Sequence, residues 1–245
     1  MRNIKLTLEY DGAEFFGFQK QPHHVTIQEA LEKALSKVLN QKTKIAAASG
    51  RTDTGVHALE QVVNFKTKSL RKIGEIQKGL NAYLPKQVAV RKVEDVPFDF
   101  HSRYSAKSKT YEYLIWNDPI RSPLKASRAW HVREPLNLTQ MKKAARFLTG
   151  RHNFKAFTAS GGSAKEMTRT LKQIQIKKQG NSILFIFEAD GFLYHMVRNM
   201  VGTLVQVGRG KLMLSEMYKI LHSQDRKKAG VTAPAEGLTL IFVTY

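Results

Sequence analysis

The chain has 245 residues, with 40 Lys and Arg against 20 Asp and Glu, so its formal net charge is +20 and its pI is about 10.1. A charge of this size predicts a polyanionic partner, with RNA or DNA favoured over an acidic membrane surface. The chain has no cysteine, which excludes disulfides and thiolate zinc sites. No stretch approaches the length of a membrane span, and Met1–Lys5 lacks the apolar core of a signal peptide. We therefore expect a cytoplasmic protein with no membrane partner.

The first half of the chain alternates predicted strands and helices. Ile4–Tyr10 has apolar residues at every second position and ends at an Asp-Gly turn signal, which is typical of a half-buried strand. Thr26, with Glu29 three residues later, forms a capping box, and an apolar stripe at helical spacing follows it. A second helix is predicted over residues 70–80 and another strand over 88–93. This half is expected to be α plus β.

A glycine-framed polar loop follows the short apolar run Ile45–Ala48 and precedes a second strand-like run. Gly50 and Gly55 bracket the sequence Arg-Thr-Asp-Thr, which brings the opposite charges of Arg51 and Asp53 into a short span. Glycines allow positive φ angles or the close approach of a flat ligand to the backbone. Reacting side chains often lie on loops that a rigid scaffold holds. The residues alone leave an alternative open, a turn whose Arg–Asp pair sits in water and contributes little.

Basic and aromatic residues are interleaved between Phe100 and Tyr113. Such a segment suits a path for a nucleic-acid backbone. Period two also places Tyr111 and Tyr113 on one face of a strand, so either ring could belong to the hydrophobic core. The change in composition predicts an N-terminal domain, residues 1–105, and a C-terminal domain, residues 106–245.

The second half is also predicted to contain strands and helices. Asn137 with Gln140 indicates the start of a helix, and Gly150 indicates its end. Two β-rich runs on either side of residues 179–181 predict a hairpin. Residues 233–245 predict a turn and a final strand.

A further helix is predicted over Tyr194–Val207, with one apolar and one polar side. The polar side carries His195, Arg198, Asn199 and Gly202, and its simplest interpretation is a solvated helix face. The alternative is a face directed into a pocket, where the glycine allows something to approach closely. The charge run Arg226–Lys228 is interpreted as the solvated tail of the preceding helix.

Several motifs together carry a resemblance to a known family. They are Tyr10-Asp11-Gly12, the Gly50–Ala58 loop, Phe100-His101-x-Arg103, Lys109-x-Tyr111-x-Tyr113, Gly191–Asn199 and Ala235–Leu238. In these motifs the chain resembles the bacterial tRNA pseudouridine synthase family, whose members isomerise uridine in RNA, and the resemblance extends nearly from end to end. Two positions are atypical: Phe18 stands where a Trp is usual, and Asn153 where an Asp is frequent.

The resemblance implies an α/β (α+β) fold with two ferredoxin-like halves. Each half is expected to have a mostly antiparallel sheet with helices on the outer side, and the sheets are expected to form the floor of a central cleft. The resemblance also implies a homodimer that modifies uridines 38, 39 and 40 in the anticodon stem-loop of tRNA. The isomerisation includes no redox step, so we expect no cofactor and no metal.

The resemblance also assigns roles to individual residues. Asp53 corresponds to the catalytic aspartate, the nucleophile. Tyr111 matches a tyrosine that packs on the uracil and is a candidate for removing its C5 proton, and Arg198 matches an arginine that pairs with the catalytic carboxylate. Arg51 looks like the residue that fills the space left by a flipped nucleotide, and Leu238 looks like an apolar pocket wall. The remaining predicted substrate-binding residues are Gly50, Gly55 and His57.

Two other functions fit parts of the sequence. A non-catalytic RNA-binding module would share the charge and the interleaved aromatic residues, but it has no need for Asp53 framed by two glycines. A zinc-dependent base deaminase also flips its target base, but its usual cysteine ligands are missing. We therefore favour the isomerase. We expect it to flip the target nucleotide, because the C1′ atom of a nucleotide stacked in a stem cannot be reached.

Overall fold

The computed structural model describes residues 1–245 as two compact units. The first unit comprises Met1–Lys107 and Thr239–Tyr245, and the second comprises Ser108–Leu238. The second unit is therefore an insertion in the sequence of the first. None of the helices is long and apolar enough to cross a membrane.

Ten strands and five α-helices make up the chain. In chain order, the strands are β1 (Arg2–Tyr10), β2 (Ala47–Ala48), β3 (His57–Thr67), β4 (Val88–Val96), β5 (Ser108–Asn117), β6 (Trp130–Val132), β7 (Gly150–Asn153), β8 (Thr168–Gln179), β9 (Ser182–Ala189) and β10 (Leu238–Thr244). The helices are α1 (Ile27–Leu39), α2 (Ile73–Tyr83), α3 (Leu138–Arg146), α4 (Met196–Gly208) and α5 (Leu214–Ser223). The predicted mixture of helices with mostly antiparallel strands is confirmed.

The first unit is built on a sheet with the strand order β4, β1, β3 and β10. The central strand β1 is antiparallel to both β3 and β4, whereas β10 is parallel to β3, with Thr239 opposite His57. The short strand β2 also pairs with β3. In β1, Ile4, Leu6 and Leu8 are fully buried, because every second side chain points to the same face of the sheet. The strand predicted from this alternation is confirmed.

Local sequence determines where α1 begins. The Thr26 hydroxyl accepts a hydrogen bond from the backbone N–H of Glu29 at 3.3 Å, which satisfies one of the unpaired amides of the first turn. The apolar stripe within Ile27–Val38 is buried, and Asn40 ends the helix in the left-handed conformation with φ of 50°. The predicted N-cap and stripe are confirmed, but the second bond of the predicted capping box, from the Thr26 N–H to the Glu29 side chain, is not formed. Helix α2 lies three residues later at each end than the predicted range 70–80.

The second unit is built on an antiparallel sheet with the order β5, β9, β8 and β7, and β6 is parallel to β5. The predicted hairpin is confirmed, since β8 and β9 pair around a turn in which Gly180 has φ of 57°. Helix α3 contacts α4, α5 and β8. Eleven of the thirteen residues of α4 are buried, so α4 is the central helix of this unit.

In the second unit, two helices differ from their predicted bounds and a third was not predicted. Helix α3 begins after the Asn137 cap as predicted, but it ends at Arg146, and the predicted end residue Gly150, with φ of 113°, starts β7 instead. Helix α4 begins two residues after the predicted start at Tyr194, because the backbone of His195 is left-handed, with φ of 58°. Helix α5 was not predicted.

Candidate active site

Residues 49–56, which we call the Asp53 loop, connect β2 to β3 in the first unit. The backbone N–H of Ser49 donates to the Val62 carbonyl at 2.7 Å, and the Gln61 amide Nε2 donates to the Gly50 carbonyl, also at 2.7 Å. The Ser49 hydroxyl donates to Oε1 of Gln61. Ser49 and Gln61 are fully buried, so water does not compete for the bond between their side chains. They hold the start of the loop in one position.

A second loop of the first unit, residues 11–18, packs against the Asp53 loop. The backbone N–H of Phe18 donates to the Thr52 carbonyl at 3.0 Å. Gly17 has φ of 77°, and a Cβ atom at this position would lie 2.7 Å from the same carbonyl oxygen. The close approach of the two backbones therefore requires glycine at position 17.

Burial changes from residue to residue along the Asp53 loop. Thr52 is buried, and its hydroxyl lies 2.7 Å from the hydroxyl of Tyr10. Burial raises the pKa of Tyr10 well above its ordinary value, so this partner of Thr52 remains a neutral phenol. Asp53 is half-buried and Arg51 is exposed. Gly55 has φ of 81°, a conformation that favours glycine. The loop therefore anchors Thr52 and leaves the Asp53 side chain partly accessible.

His57, the first residue of β3, is buried and contacts the second loop. Its Nδ1 atom lies 3.1 Å from the Gly12 backbone nitrogen and 3.0 Å from Oδ1 of Asp11. Without a proton Nδ1 accepts from Gly12, and with a proton it donates to Asp11, so the two hydrogen bonds belong to different states of the ring. In either state His57 links the end of the Asp53 loop to the second loop.

In the second unit, β5 carries two of the tyrosines noted in the sequence. Tyr111 is buried, and its ring contacts Phe192 edge to face with the ring centroids 5.1 Å apart. Tyr113 is fully buried, and its hydroxyl donates to the Pro234 carbonyl at 2.8 Å. The pKa of Tyr113 is raised, first by burial and then by the nearby Glu236 carboxylate. Both tyrosines lie on one face of the strand, as period two predicts.

Arg198 is half-buried on α4 and binds Ala233 at two points. Its Nε donates to the Ala233 carbonyl at 2.7 Å, and the backbone N–H of Ala233 donates to the Arg198 carbonyl at 3.1 Å. Both the side chain and the helix backbone at this position are therefore tied to the same residue. Leu238, at the start of β10, is buried.

The polar side of α4 is not a solvated face, and that interpretation was wrong. Asn199 is fully buried, and its Nδ2 donates to the Phe157 carbonyl at 2.8 Å. Gly202 is buried as well, and a Cβ atom there would lie 1.7 Å from the Val231 carbonyl oxygen. The alternative of a close approach is therefore the correct one at Gly202. What approaches is the chain itself, in residues 226–237.

Sequence reasoning also missed Arg226. Its guanidinium is half-buried in a 3-10 turn after α5 and donates to the side chains of Asn199 and Thr232 as well as to two backbone carbonyls. Burial lowers the pKa of Arg226 from its ordinary value. The interpretation as a solvated tail is wrong for Arg226, although Lys227 and Lys228 are exposed. An Arg-Lys-Lys run carries no signal that separates its buried member from the exposed ones.

The predicted site residues fall in both units. In the first unit the structure brings five of them together in the Asp53 loop and at its end: Gly50, Arg51, Asp53, Gly55 and His57. In the second unit the predicted residues lie on three separate elements, β5, α4 and the start of β10: they are Tyr111, Arg198 and Leu238.

Comparison with known proteins identifies the family. A family model described as tRNA pseudouridine synthase matches residues 7–105 and 144–245, which is more than half of the chain and includes the Asp53 loop and α4. The chain belongs to the tRNA pseudouridine synthase family. As a tRNA pseudouridine synthase it is an isomerase that acts on uridine in tRNA, and the resemblance seen in the sequence motifs is confirmed.

Full-length relatives of this tRNA pseudouridine synthase carry similar names. The chain is 47% identical over 245 residues to "tRNA pseudouridine synthase A" of Thermoanaerobacter sp. (strain X514), 45% identical to "tRNA pseudouridine synthase A 2" of Clostridium perfringens (strain 13 / Type A), and 44% identical to "tRNA pseudouridine synthase A" of Acetivibrio thermocellus. Each alignment covers 100% of both chains. Among solved structures, a chain of a Cbf5-Nop10-Gar1 complex is similar with a TM-score of 0.41 and 13% identity, over 97% of this chain and 48% of that one.

Proposed function

We propose that this chain converts uridine to pseudouridine at positions 38, 39 and 40 of tRNA, in the anticodon stem-loop. The observation that supports the proposal most strongly is the Asp53 loop, in which a half-buried carboxylate directly follows Thr52, whose hydroxyl is held by a buried hydrogen bond with Tyr10. Catalysis requires such fixation, because a reacting group has to be held in one orientation. A module that only binds RNA has no such requirement.

The chemistry explains why a carboxylate is needed. The reaction breaks the N1–C1′ glycosidic bond, turns the uracil over and joins C5 to C1′. The C5 proton is lost and N1 gains a proton, so the product is an isomer of the substrate. A carboxylate can act as the nucleophile or stabilise an oxocarbenium ion in such a reaction. We assign this role to Asp53, which attacks either C1′ of the ribose or C6 of the uracil.

The other site residues keep the roles that the resemblance implies. Tyr111 presents an aromatic ring for packing on the uracil and a hydroxyl as a candidate acceptor of the C5 proton. Arg198 is the partner of the catalytic carboxylate. Arg51 fills the space of the extruded nucleotide, and its exposure is consistent with contact to RNA. Leu238 forms an apolar wall of the uracil pocket.

Binding of tRNA accounts for the net charge of +20. Lys and Arg side chains that neutralise phosphates release counterions from the nucleic acid, which favours association. We further propose a homodimer, as the resemblance implies. A tRNA substrate also makes the cytoplasm the expected site of action.

Release of label from tRNA tritiated at uridine C5 tests the function directly. The chain should release tritium to water, and the Asp53→Asn variant should release none while its affinity for tRNA stays within about threefold of the wild type. Asn keeps the shape of the side chain but loses its charge and nucleophilicity, so the loss belongs to the transition state rather than to binding.

Glu60→Gln is a matched control, since it removes a half-buried carboxylate from β3 in the same unit. This variant should retain the wild-type rate. Substantial turnover by Asp53→Asn would refute the assignment of the nucleophile. Binding of tRNA by the wild type without any release of tritium would instead support the RNA-binding module.

A further inference from the structure

The guanidinium of Arg226 holds together residues that are distant in sequence. Its Nη1 donates to the backbone carbonyls of Ala229 and Gly230, at 3.3 and 2.9 Å. Its Nη2 donates to Oδ1 of Asn199 at 2.9 Å and to Oγ1 of Thr232 at 3.0 Å. All four acceptors are neutral oxygens, so the partly buried charge is stabilised by hydrogen bonds from its fork of donors rather than by a carboxylate.

Asn199 connects this group to the core of the second unit. Its Oδ1 accepts hydrogen bonds from Arg226 and from the Thr232 hydroxyl, the latter at 2.7 Å. Its Nδ2 donates to the Phe157 carbonyl at 2.8 Å. Because Asn199 is fully buried on α4, the amide cannot turn away without leaving polar atoms unpaired. The position of Thr232 is thereby fixed relative to α4.

The neighbouring residues of the segment lie directly on the helix. The backbone N–H of Gly230 donates to the Thr203 hydroxyl at 2.9 Å, and this hydroxyl in turn donates to the Asn199 carbonyl at 2.7 Å. Gly202 has no side chain to keep the Val231 carbonyl away. Residues 230–232 therefore have a single path over α4, and Ala233 follows at the end of that path.

Ala233 binds Arg198 through both its carbonyl and its backbone N–H. An arginine side chain has several rotatable bonds, and ordering it is entropically costly unless its partners are already in place. The Nε–H bond to the Ala233 carbonyl, 2.7 Å long, sets the plane of the Arg198 guanidinium. The orientation of Arg198 therefore depends on where residues 226–232 put that carbonyl.

We propose that Arg226 is a positioning residue of the active site: through Asn199 and Thr232 it fixes the Ala233 carbonyl, which orients the guanidinium of Arg198. The inference rests on the proposed function, in which Arg198 takes part in catalysis. A residue that only stabilised the fold would slow the reaction equally whether or not Arg198 is present. A residue that acts through Arg198 would have little effect once Arg198 is replaced.

A double-mutant cycle separates these two roles. Single-turnover tritium release is measured for the wild type, Arg226→Met, Arg198→Lys and the double variant, at a temperature where all four are folded. Arg226→Met should slow the wild-type enzyme by about 10- to 100-fold, the range expected for a misplaced catalytic group. In the Arg198→Lys background the same change should cost less than about threefold. An equal loss in both backgrounds, or no loss in the wild-type background, would overturn the proposal.

Arg209→Met is the matched control. Arg209 is also a partly buried arginine of the second unit, at the end of α4, but it binds Glu134 at 2.8 Å and none of residues 226–237. Its loss should lower stability without slowing turnover. Should Arg226→Met fail to fold, Thr232→Val replaces it, because it removes the hydroxyl between Arg226 and Asn199 at nearly constant volume. Thr232→Val should also slow tritium release only when Arg198 is present, and by a smaller factor than Arg226→Met.

A second readout does not depend on activity. The Nε–H signal of Arg198 in a ¹H–¹⁵N spectrum is identified by its absence in Arg198→Lys. Its exchange with solvent should be slow in the wild type and in Arg209→Met, and at least about tenfold faster in Arg226→Met. Unchanged exchange in Arg226→Met would refute the coupling even if tRNA turnover is lost. If the wild type releases no tritium, the proposed function is refuted. The proposal for Arg226 is then still tested, because the exchange measurement reports how Arg226 positions Arg198 without any need for activity.

Discussion

Arg51 and Thr52 are neighbours in the Asp53 loop, yet the arginine is exposed and the threonine is buried. The buried hydroxyl contact of Thr52 with Tyr10 anchors the backbone, so the exposed side chain next to it projects from a fixed point. A cation in such a position suits the proposed role of occupying the gap left by an extruded nucleotide. That role matters most in a paired stem, because unstacking and unpairing cost roughly a few kcal/mol there and less in a loop.

Arg51→Ala should therefore lose more activity on a stem uridine than on the same uridine in a single-stranded oligonucleotide. The quantity to measure is the single-turnover rate on the paired substrate divided by that on the unpaired one. We expect this ratio to fall by about tenfold or more, which corresponds to at least about 1.4 kcal/mol of lost stabilisation. Arg91→Ala, an exposed arginine of the same unit that binds Glu9, should leave the ratio unchanged. An unchanged ratio for Arg51→Ala would mean that it takes no part in flipping.

The sequence identifies some of the functional residues and not others. The Asp53 loop could be recognised because two glycines, an arginine and an aspartate occur together in a short span, and local spacing is what a sequence displays. Asn199 and Arg226 could not, since they are 27 positions apart and the sequence does not show which segment covers a helix. Arg226 also belongs to an Arg-Lys-Lys run, and the composition of such a run is typical of an exposed segment. The catalytic roles of Asp53, Tyr111 and Arg198 stay predictions.

Two helical glycines test how much the packing of the chain against α4 contributes to stability. A Cβ atom on Gly202 in α4 would lie 1.7 Å from the Val231 carbonyl, whereas one on Gly74 in α2 would meet nothing within 4 Å. Gly202→Ala should therefore displace the 226–237 segment and lower the free energy of unfolding by about 3 kcal/mol or more, at the upper end of overpacking effects. Gly74→Ala should raise it by up to about 1 kcal/mol, because alanine has the higher helix propensity.

Chemical denaturation of the two variants beside the wild type gives both values. Gly202→Ala should also lose activity at temperatures where it remains folded, since Ala233 and Arg198 follow the displaced segment. A Gly202→Ala protein as stable and as active as the wild type would show that the segment can move away from α4 without consequence.

Elements were predicted well where one local signal determines them. The caps at Thr26 and Asn137 predicted the starts of α1 and α3, and the alternation in β1 predicted the strand. Helix α5 was missed because Met213 at its N-cap makes no side-chain cap hydrogen bond; instead Glu216 accepts from the Met213 N–H at 2.6 Å. The end of α3 was misplaced because Gly150 has the left-handed backbone of a helix end but occupies the start of a strand.

At the scale of the whole molecule, the charge of +20 predicts steep salt dependence. Each Lys or Arg that contacts a phosphate displaces a counterion, so affinity falls with rising salt. Between about 50 mM and about 200 mM salt, the affinity for tRNA should fall at least about tenfold, and a plot of log affinity against log salt should be linear. The Asp53→Asn variant allows the measurement without turnover. An affinity that stays constant over this range would contradict the polyanion interpretation.

Composition predicted the kind of partner, and motif content predicted the family. The pairing of β10 with β3 could not be predicted, because parallel strands far apart in sequence leave no local signal. The division into domains 1–105 and 106–245 stays a prediction, as do the homodimer and the positions modified in tRNA.

The return of β10 to the first unit has a consequence for how the protein is made. On the ribosome, a nascent chain that has emerged only as far as Lys107 lacks the strand that pairs with β3 near His57. This edge of β3 stays open to pairing with other strands. Pairing β3 with β10 also closes the long loop of chain between them, which is slow. The second unit, continuous from Ser108 to Leu238, can fold in the meantime. The unit that is synthesised first is therefore completed last.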